Sequence, residues 1–326
     1  MSLDLQRLTG QHRLLFAIPL RPLQGQRFQP TGFPGLGAAT FQTAAGACLL
    51  VESAQSMANR LEMVGWDEGT QAPVAELEGL SHVRVVRGDG AFLTDTMLEA
   101  HRLNSPYLIE GKNPAFMNKL KEALGTMDQG PIDRRQLAQV LLRYDANSLL
   151  HGVFLAKKDL AGGRLRVARS ISAFVEADGV RVAPGGGVKN DHVNPSGDTG
   201  KGYGNVPFAR DEYTAEQITL YVNFDLAMLR GYGLGTDAEE MLTWVGLYKL
   251  RALLERGLRF RTACDFDVAC TTVTAQRPAG FELPSLAELG PATQAAISRC
   301  AALMETNEHT YTDDLTKAKN AEQGAA

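Results

Sequence analysis

One stretch of the chain alternates apolar and polar residues with a period of two. From Ile218 to Leu226 the even positions carry Ile, Leu, Val, Phe and Leu, and the odd positions carry Thr, Tyr, Asn and Asp. This period predicts a β-strand with one buried face and one open face. Strands of a parallel sheet are usually buried on both faces, so the alternation favours an antiparallel sheet.

The rest of the chain mixes strand and helix patterns. The other predicted strands are residues 12–20, 82–87 and 260–269, with a hairpin formed by 149–156 and 164–176. Helices are predicted between 94 and 145, at 238–256 and at 285–304, and residues 306–326 form a polar tail.

A glycine- and proline-rich loop, Gly25–Gly37, precedes a segment with a helical pattern, Ala47–Leu61. Within that segment apolar residues recur at steps of three and four, which predicts one buried helix face. The opposite face carries short hydrogen-bonding groups and one guanidinium, at Ser53, Gln55, Ser56, Asn59 and Arg60. Such groups suit contact with phosphate and sugar. An ordinary solvated helix face remains the alternative.

A second unusual stretch, residues 178–214, predicts a long structureless loop that joins two strands. It contains Lys189, Lys201 and Tyr203, and the strand before it carries Arg164, Arg166 and Ser170 on its polar face. These groups can bind phosphate and stack on bases, so they predict nucleic-acid binding.

The totals limit the classes of function. A formal net charge of -4 over 326 residues indicates no general attraction to polyanions, so a nucleic-acid surface must be local. The 4 cysteines lack zinc-site spacing, and no cofactor or metal site is predicted. The start of the chain does not resemble a signal peptide, and no apolar run is long enough to span a membrane, so we expect a cytoplasmic protein without a membrane partner.

Enzymatic alternatives rest on few residues. Asp191 with magnesium, or His192 with Lys189, could form a ribonuclease site in the long loop. Gly197–Gly202 lacks the spacing of a P-loop, and Gly231–Gly235 departs from a dinucleotide fingerprint and is interpreted as a strand-to-helix turn. A nucleotide-binding enzyme that uses the Gly231 turn remains a third possibility.

Several segments together resemble a known family. They are Arg27–Pro34, Leu50–Glu62, Gly186–Lys189, Gly204–Phe208 and Leu229–Leu234. Their amino-acid sequences resemble those of the CRISPR-associated RAMP protein of type I-G systems, formerly type I-U. That protein is the Cas-seven-type backbone subunit of the Cascade complex. The similarity spans residues from about 12 to 275.

The resemblance implies an α+β fold shaped like a hand. Its palm would be a modified RRM-like, ferredoxin-like antiparallel sheet formed by residues 10–62, 146–177 and 215–275. A helical finger insertion would occupy 63–145, a β-hairpin thumb 178–214, and a C-terminal helix and tail 284–326.

The resemblance also implies the partners. The protein would bind CRISPR RNA and polymerise on it as a filament of further copies of itself, beside other Cascade subunits. It would present the guide for pairing with target DNA without catalysing a reaction, and a recruited helicase-nuclease would cut. Together with the residue patterns, it predicts RNA contacts by Arg27, Gln29, Thr31, Ser53, Gln55, Ser56, Asn59, Arg60, Arg166, Arg169, Ser170, Lys189 and Lys201. Asn59 stands near a position where relatives often have lysine.

Overall fold

The computed structural model describes residues 5–33, 37–125, 127 and 130–313. The helices in this part of the chain are α1 (Ala54–Met63), α2 (Pro106–Ile109), α3 (Ala115–Leu124), α4 (Arg134–Tyr144), α5 (Asn147–His151), α6 (Leu226–Gly231), α7 (Thr236–Glu255) and α8 (Leu286–Arg299). The strands are β1 (Leu14–Pro22), β2 (Gly32–Phe33), β3 (Gly37–Thr43), β4 (Gly46–Glu52), β5 (Trp66–Asp67), β6 (Ala72–Pro73), β7 (Val83–Arg87), β8 (Phe92–Asp95), β9 (Val153–Leu155), β10 (Leu165–Val167), β11 (Ile171–Asp178), β12 (Arg181–Lys189), β13 (Val206–Thr214), β14 (Gln217–Phe224), β15 (Leu258–Arg261), β16 (Cys264–Val268) and β17 (Asn307–Tyr311).

The chain divides into two compact units. Unit 1 comprises Met1–Leu61, Ile171–Leu226 and Lys249–Leu286, and unit 2 comprises Glu62–Ser170, Ala227–Tyr248 and Ala287–Ala326. Each unit therefore collects segments that are far apart in the sequence. None of the helices in the described residues is both long and apolar enough to cross a lipid bilayer.

Unit 1 is built on one eight-stranded sheet with the order β15-β16-β1-β14-β11-β4-β3-β2. Its neighbouring strands pair antiparallel, as in the register that places Leu14 opposite Phe224 and Leu20 opposite Ile218. The even positions of β14 are buried, from Ile218 at 4% exposure to Phe224 at 1%. The predicted α+β class and antiparallel sheet are confirmed.

The helix predicted over Ala47–Leu61 is wrong in its first half. Residues Gly46–Glu52 form β4, which pairs with β3 on one side and β11 on the other. Cys48, Leu49 and Val51 are all buried. The helical spacing was incidental, because an inner strand that bulges against β11 need not keep a strict period of two. The helix proper begins after Ser53, and residues 34–36 of the preceding loop lie outside the described residues.

The stretch 178–214 is a β-hairpin and not a structureless loop. Residues Arg181–Lys189 pair with Val206–Thr214 in continuous register, which confirms the hairpin that the family resemblance implied. Glycine content obscured the strand in the sequence. A Cβ on Gly186 would lie 2.7 Å from the Phe208 carbonyl oxygen, so glycine is required for this close approach.

Unit 2 combines helices α2 to α5 and α8 with a three-stranded sheet of order β17-β7-β8. Strand β17 pairs parallel to β7, where the sequence predicted a polar tail without a strand. Residues 314–326 of that predicted tail lie outside the described residues. The predicted strand at 82–87, the helices between 94 and 145, and the helices at 238–256 and 285–304 are confirmed with small shifts at their ends.

The hairpin predicted from 149–156 and 164–176 is shorter in the structure. Its strands are β9 and β10, while α5 takes the residues before Gly152 and β11 belongs to unit 1. Gly152 has φ +80°, and a Cβ there would lie 2.9 Å from the Val167 carbonyl oxygen. The predicted closing strand at 260–269 is likewise a pair, β15 and β16, and Gly231–Gly235 links two helices, α6 and α7, instead of a strand and a helix.

Candidate nucleic-acid interface

The predicted polar edge of α1 is present in unit 1. Ser53 precedes the helix and accepts a hydrogen bond at Oγ from the Ser56 backbone N–H at 3.3 Å, as an N-cap does. Gln55 and Asn59 are exposed and four residues apart, so they lie on one side of α1. Their side chains have no hydrogen-bond partner within the described part of the chain. The fold therefore leaves both amides available to a ligand.

Arg60 is placed differently from the prediction. Its Nη1 and Nη2 donate to the carbonyl oxygens of Arg259 at 3.0 Å and Phe260 at 2.7 Å. The guanidinium carbon lies 4.9 Å from the centre of the Phe260 ring. Glu52, which is buried, approaches Arg60 Nε at 3.8 Å. Arg60 consequently joins α1 to β15 instead of extending from the exposed edge.

Three further predicted residues belong to the segment between β1 and β2. Arg27 is exposed, and its Nη1 lies 3.3 Å from Oε2 of the buried Glu212. Thr31 donates to Glu52 Oε2 at 3.4 Å, and Gln29 is half-buried. Arg27 also lines a cavity of about 390 Å³ that holds both arginines and acids. The mixed charge makes this cavity a weaker anion site than its arginines alone would be.

The β12–β13 hairpin presents Lys189 and Lys201 to solvent, with Lys201 Nζ 3.9 Å from Asp198. Its tip is organised by Asp191. The carboxylate accepts the backbone N–H groups of Val193 at 2.9 Å, Asn194 at 3.0 Å and Gly204 at 2.9 Å. These hydrogen bonds hold the pKa of Asp191 below its usual range. The sequence marked Asp191 as a candidate for chemistry, and the structure shows it satisfied by backbone.

Unit 2 contains a cavity of about 1520 Å³. The described residues that line it include five arginines and two histidines but no aspartate or glutamate: His101, Arg102, Arg134, His151, Arg164, Arg166 and Arg169. Arg166 and Arg169, both predicted as RNA contacts, are exposed there. In a chain with a net charge of -4, this is a strong local concentration of positive charge.

Ser170 does not share that surface. It is 1% exposed, and its hydroxyl donates to the Leu149 carbonyl oxygen at 3.0 Å. The prediction that it lies on an open strand face is wrong, because the strand breaks before β11 and the side chain turns inward. We therefore leave Ser170 out of the candidate interface.

Two cavity residues were missed from the sequence. Phe154 is 53% exposed and lies directly opposite Arg166 in the β9–β10 register. Arg134 is exposed at the first position of α4. An aromatic residue at the open position of a short strand, paired with a cation, was the available signal for Phe154.

Comparison with known proteins identifies the class of the protein as CRISPR-associated. Residues 14–182, more than half of the chain, match the model of the family described as CRISPR-associated protein GSU0053. The chain therefore belongs to the CRISPR-associated protein GSU0053 family. The matched segment begins at β1 and ends at the start of β12, so it includes α1 and the β9–β10 hairpin.

A search of solved structures finds a similar chain described as "CRISPR RNA-guided surveillance complex, pre-nicking". The two chains share 14% sequence identity, with 74% of this chain and 70% of that chain covered, at a TM-score of 0.34. A TM-score of this size transfers no property from that chain to this one. Among curated proteins no match was found.

Proposed function

We propose that the protein is a CRISPR RNA-binding backbone subunit of a type I-G Cascade complex. Membership of the CRISPR-associated GSU0053 family supports the setting, and the sequence resemblance described above supports the subunit and subtype. Successive copies bind one guide RNA and form a filament with other Cascade subunits in the cytoplasm. The guide then pairs with target DNA, and a recruited helicase-nuclease performs the cutting.

The exposed edge of α1 is the observation that carries this proposal. Gln55 and Asn59 are amides on one side of the helix that the fold itself does not use. Amides bind phosphate oxygens and ribose hydroxyls whatever the base sequence, and this suits a subunit that must accept any guide. Lys189 on the β12–β13 hairpin supplies an exposed cation in the same unit.

The hand description assigns roles to these parts. The eight-stranded sheet of unit 1 supplies the RRM-like palm, and the β12–β13 hairpin is the thumb that reaches a neighbouring copy. Helices α2 to α4 form the fingers. The subunit is non-catalytic in this proposal, and sequence specificity belongs to the guide.

A double variant, Gln55→Ala with Asn59→Ala, tests the proposal. Each lost hydrogen bond is worth about 0.5–1.5 kcal/mol, so we expect guide affinity to fall about 5- to 150-fold. The measurement is the amount of CRISPR RNA recovered per protein from cells that carry the array and companion subunits. Gln139→Ala, at an exposed position of α4, is the matched control. Equal RNA recovery from the double variant and the control would contradict the proposed role of α1.

The ribonuclease alternative is less well supported by the geometry. A catalytic or metal-binding role for Asp191 would compete with three backbone hydrogen bonds that already occupy both carboxylate oxygens. RNA cleavage by the purified protein that disappears in His192→Ala would nevertheless establish this alternative, because His192 is exposed and its change leaves the Asp191 contacts in place.

A further inference from the structure

We infer that the arginine-lined cavity of unit 2 is a second nucleic-acid site, one that takes single-stranded nucleic acid with an unstacked base on Phe154. The adjoining phosphates bind Arg134, Arg166 and Arg169. The site goes beyond the proposed function, because it requires neither a filament nor contact between a guide and α1. The observations that carry it all lie within unit 2.

Charge defines the ligand as a polyanion. The described lining holds no carboxylate to oppose the five arginines. Arg102 is neutralised, since its Nε and Nη2 each donate to a Glu62 oxygen at 2.6 Å. Arg164 is held by carbonyl oxygens, with Nε 3.1 Å from Ala161 O and Nη2 3.2 Å from Met127 O. Arg134, Arg166 and Arg169 are exposed and make no hydrogen bond or ion pair within the described residues, so they are available to a ligand.

Size favours a polymer over a small metabolite. Sites for small molecules usually measure about 300–1,000 Å³, and this cavity measures about 1520 Å³. The cavity is therefore large enough for a strand segment of several nucleotides. Phosphates spaced along such a segment can contact separate arginines on α4 and on β10 and the residues that follow it.

The aromatic residue indicates a single strand. Phe154 is 53% exposed in a cavity whose arginines attract negative charge. Exposed aromatic rings in basic grooves stack on bases, and a base is available for stacking only where the strand is unpaired. Arg166 stands opposite Phe154 in the strand register, so one phosphate contact lies beside the stacking position.

Two variants of the full-length protein separate the two contributions. The first is Phe154→Ala, and the second is the double change Arg166→Ala with Arg169→Ala; all three positions are exposed, so the fold should be retained. Arg87→Ala, an exposed arginine at the end of β7 and outside the cavity lining, is the control. Binding is measured over a range of salt concentrations with a fluorescent oligothymidylate, its RNA counterpart, an abasic strand of equal length and a duplex.

The expected pattern distinguishes stacking from charge. Phe154→Ala should weaken binding of base-containing strands about 5- to 150-fold and leave the abasic strand unaffected. The arginine variant should weaken binding of all single strands and reduce the log-log salt slope by about 0.7 per lost phosphate contact. A loss confined to RNA, confined to DNA or common to both strands identifies the source of the ligand, and each supports the site.

Three results would overturn the inference: an unchanged affinity in both variants, equal losses in the Arg87→Ala control, or preference for the duplex. Failure here is distinguishable from failure of the proposed function. If Gln55→Ala with Asn59→Ala lowers recovery of CRISPR RNA while the cavity variants bind strands normally, the guide proposal stands and the second site falls. If the cavity variants lose strand binding while Gln55→Ala with Asn59→Ala recovers CRISPR RNA normally, the second site stands and the guide proposal falls.

Discussion

Asp145 of unit 2 is a buried carboxyl group with an altered pKa. Its side chain has no exposed surface, and Oδ2 accepts a hydrogen bond from Ser148 Oγ at 2.7 Å. Burial raises the pKa of Asp145 to about 7, and the hydrogen bond from Ser148 and the nearby Arg102 only partly offset this effect. Between the ordinary aspartate pKa near 4 and pH 7, the folded state therefore holds a proton that the unfolded state has lost.

The pKa of Asp145 predicts a pH dependence of stability. Because the folded state binds more protons in this window, the free energy of unfolding falls as pH rises from about 4 to about 7, by ~4 kcal/mol at most. Asp145→Asn removes the titrating group. The measurement is denaturant unfolding of both proteins across this range, with the difference between the two curves isolating Asp145. Two curves that remain parallel would contradict the prediction.

Arg60 and Lys189 should respond differently to alanine substitution. Arg60→Ala loses two hydrogen bonds to carbonyl oxygens, so we expect it to destabilise unit 1 by about 1–3 kcal/mol with little change in the salt slope of RNA binding. Lys189→Ala, at an exposed position, should retain stability and reduce the slope by about 0.7. Thermal unfolding and salt titration of guide binding measure both. A reduced salt slope in Arg60→Ala would contradict this expectation and support the phosphate contact that the sequence predicted.

Residue chemistry could be predicted from the sequence better than residue placement. Arg166 and Lys189 are exposed as expected, Arg166 from the alternation of its strand and Lys189 from its place in a stretch predicted as a loop. Arg60 and Ser170 instead turn inward to bind the carbonyl oxygens of Phe260 and Leu149. Because these partners are distant in the sequence, no local pattern predicted the contacts. The grouping of Arg134 with Arg166 and Phe154 likewise depends on how unit 2 folds.

At the scale of elements, long and strongly patterned segments were predictable. The alternation of β14 and the apolar spacing of α7 and α8 gave their types correctly. Strand β4 was missed because its burial depends on pairing with β11, more than 100 residues away. Strand β17 was missed because a polar sequence can pair with β7 through its backbone alone. Glycines in β12 suggested a loop, although they permit close strand pairing.

The hairpin tip provides a prediction at this scale. Asp191→Ala removes the acceptor for the N–H groups of Val193, Asn194 and Gly204, so these amides should exchange with solvent faster. Because the pKa of Asp191 is lowered in the fold, its contribution in the wild type is present above pH 4 and is lost as pH falls through the lowered pKa. Hydrogen exchange with residue resolution measures this. Unchanged protection of all three amides would show that the tip is ordered by other contacts.

At the scale of the whole molecule, the net charge of -4 contrasts with the unit 2 cavity, whose described lining holds five arginines and no aspartate or glutamate. Charge is segregated within the chain, so a weakly acidic protein can still offer a nucleic-acid surface. In the proposed filament, each copy adds the exposed cation of its β12–β13 hairpin, Lys189, to the same RNA. Each bound guide phosphate then adds to the salt dependence of assembly.

The most direct test of the proposed function is to purify the protein from cells that express its CRISPR array and companion subunits. The ratio of absorbance at 260 nm to that at 280 nm is measured, the bound nucleic acid is sequenced, and native mass spectrometry counts the copies. The account predicts several copies of the chain on one uniform CRISPR RNA. Single copies without RNA in an otherwise assembled Cascade complex, or RNA of random sequence, would contradict it.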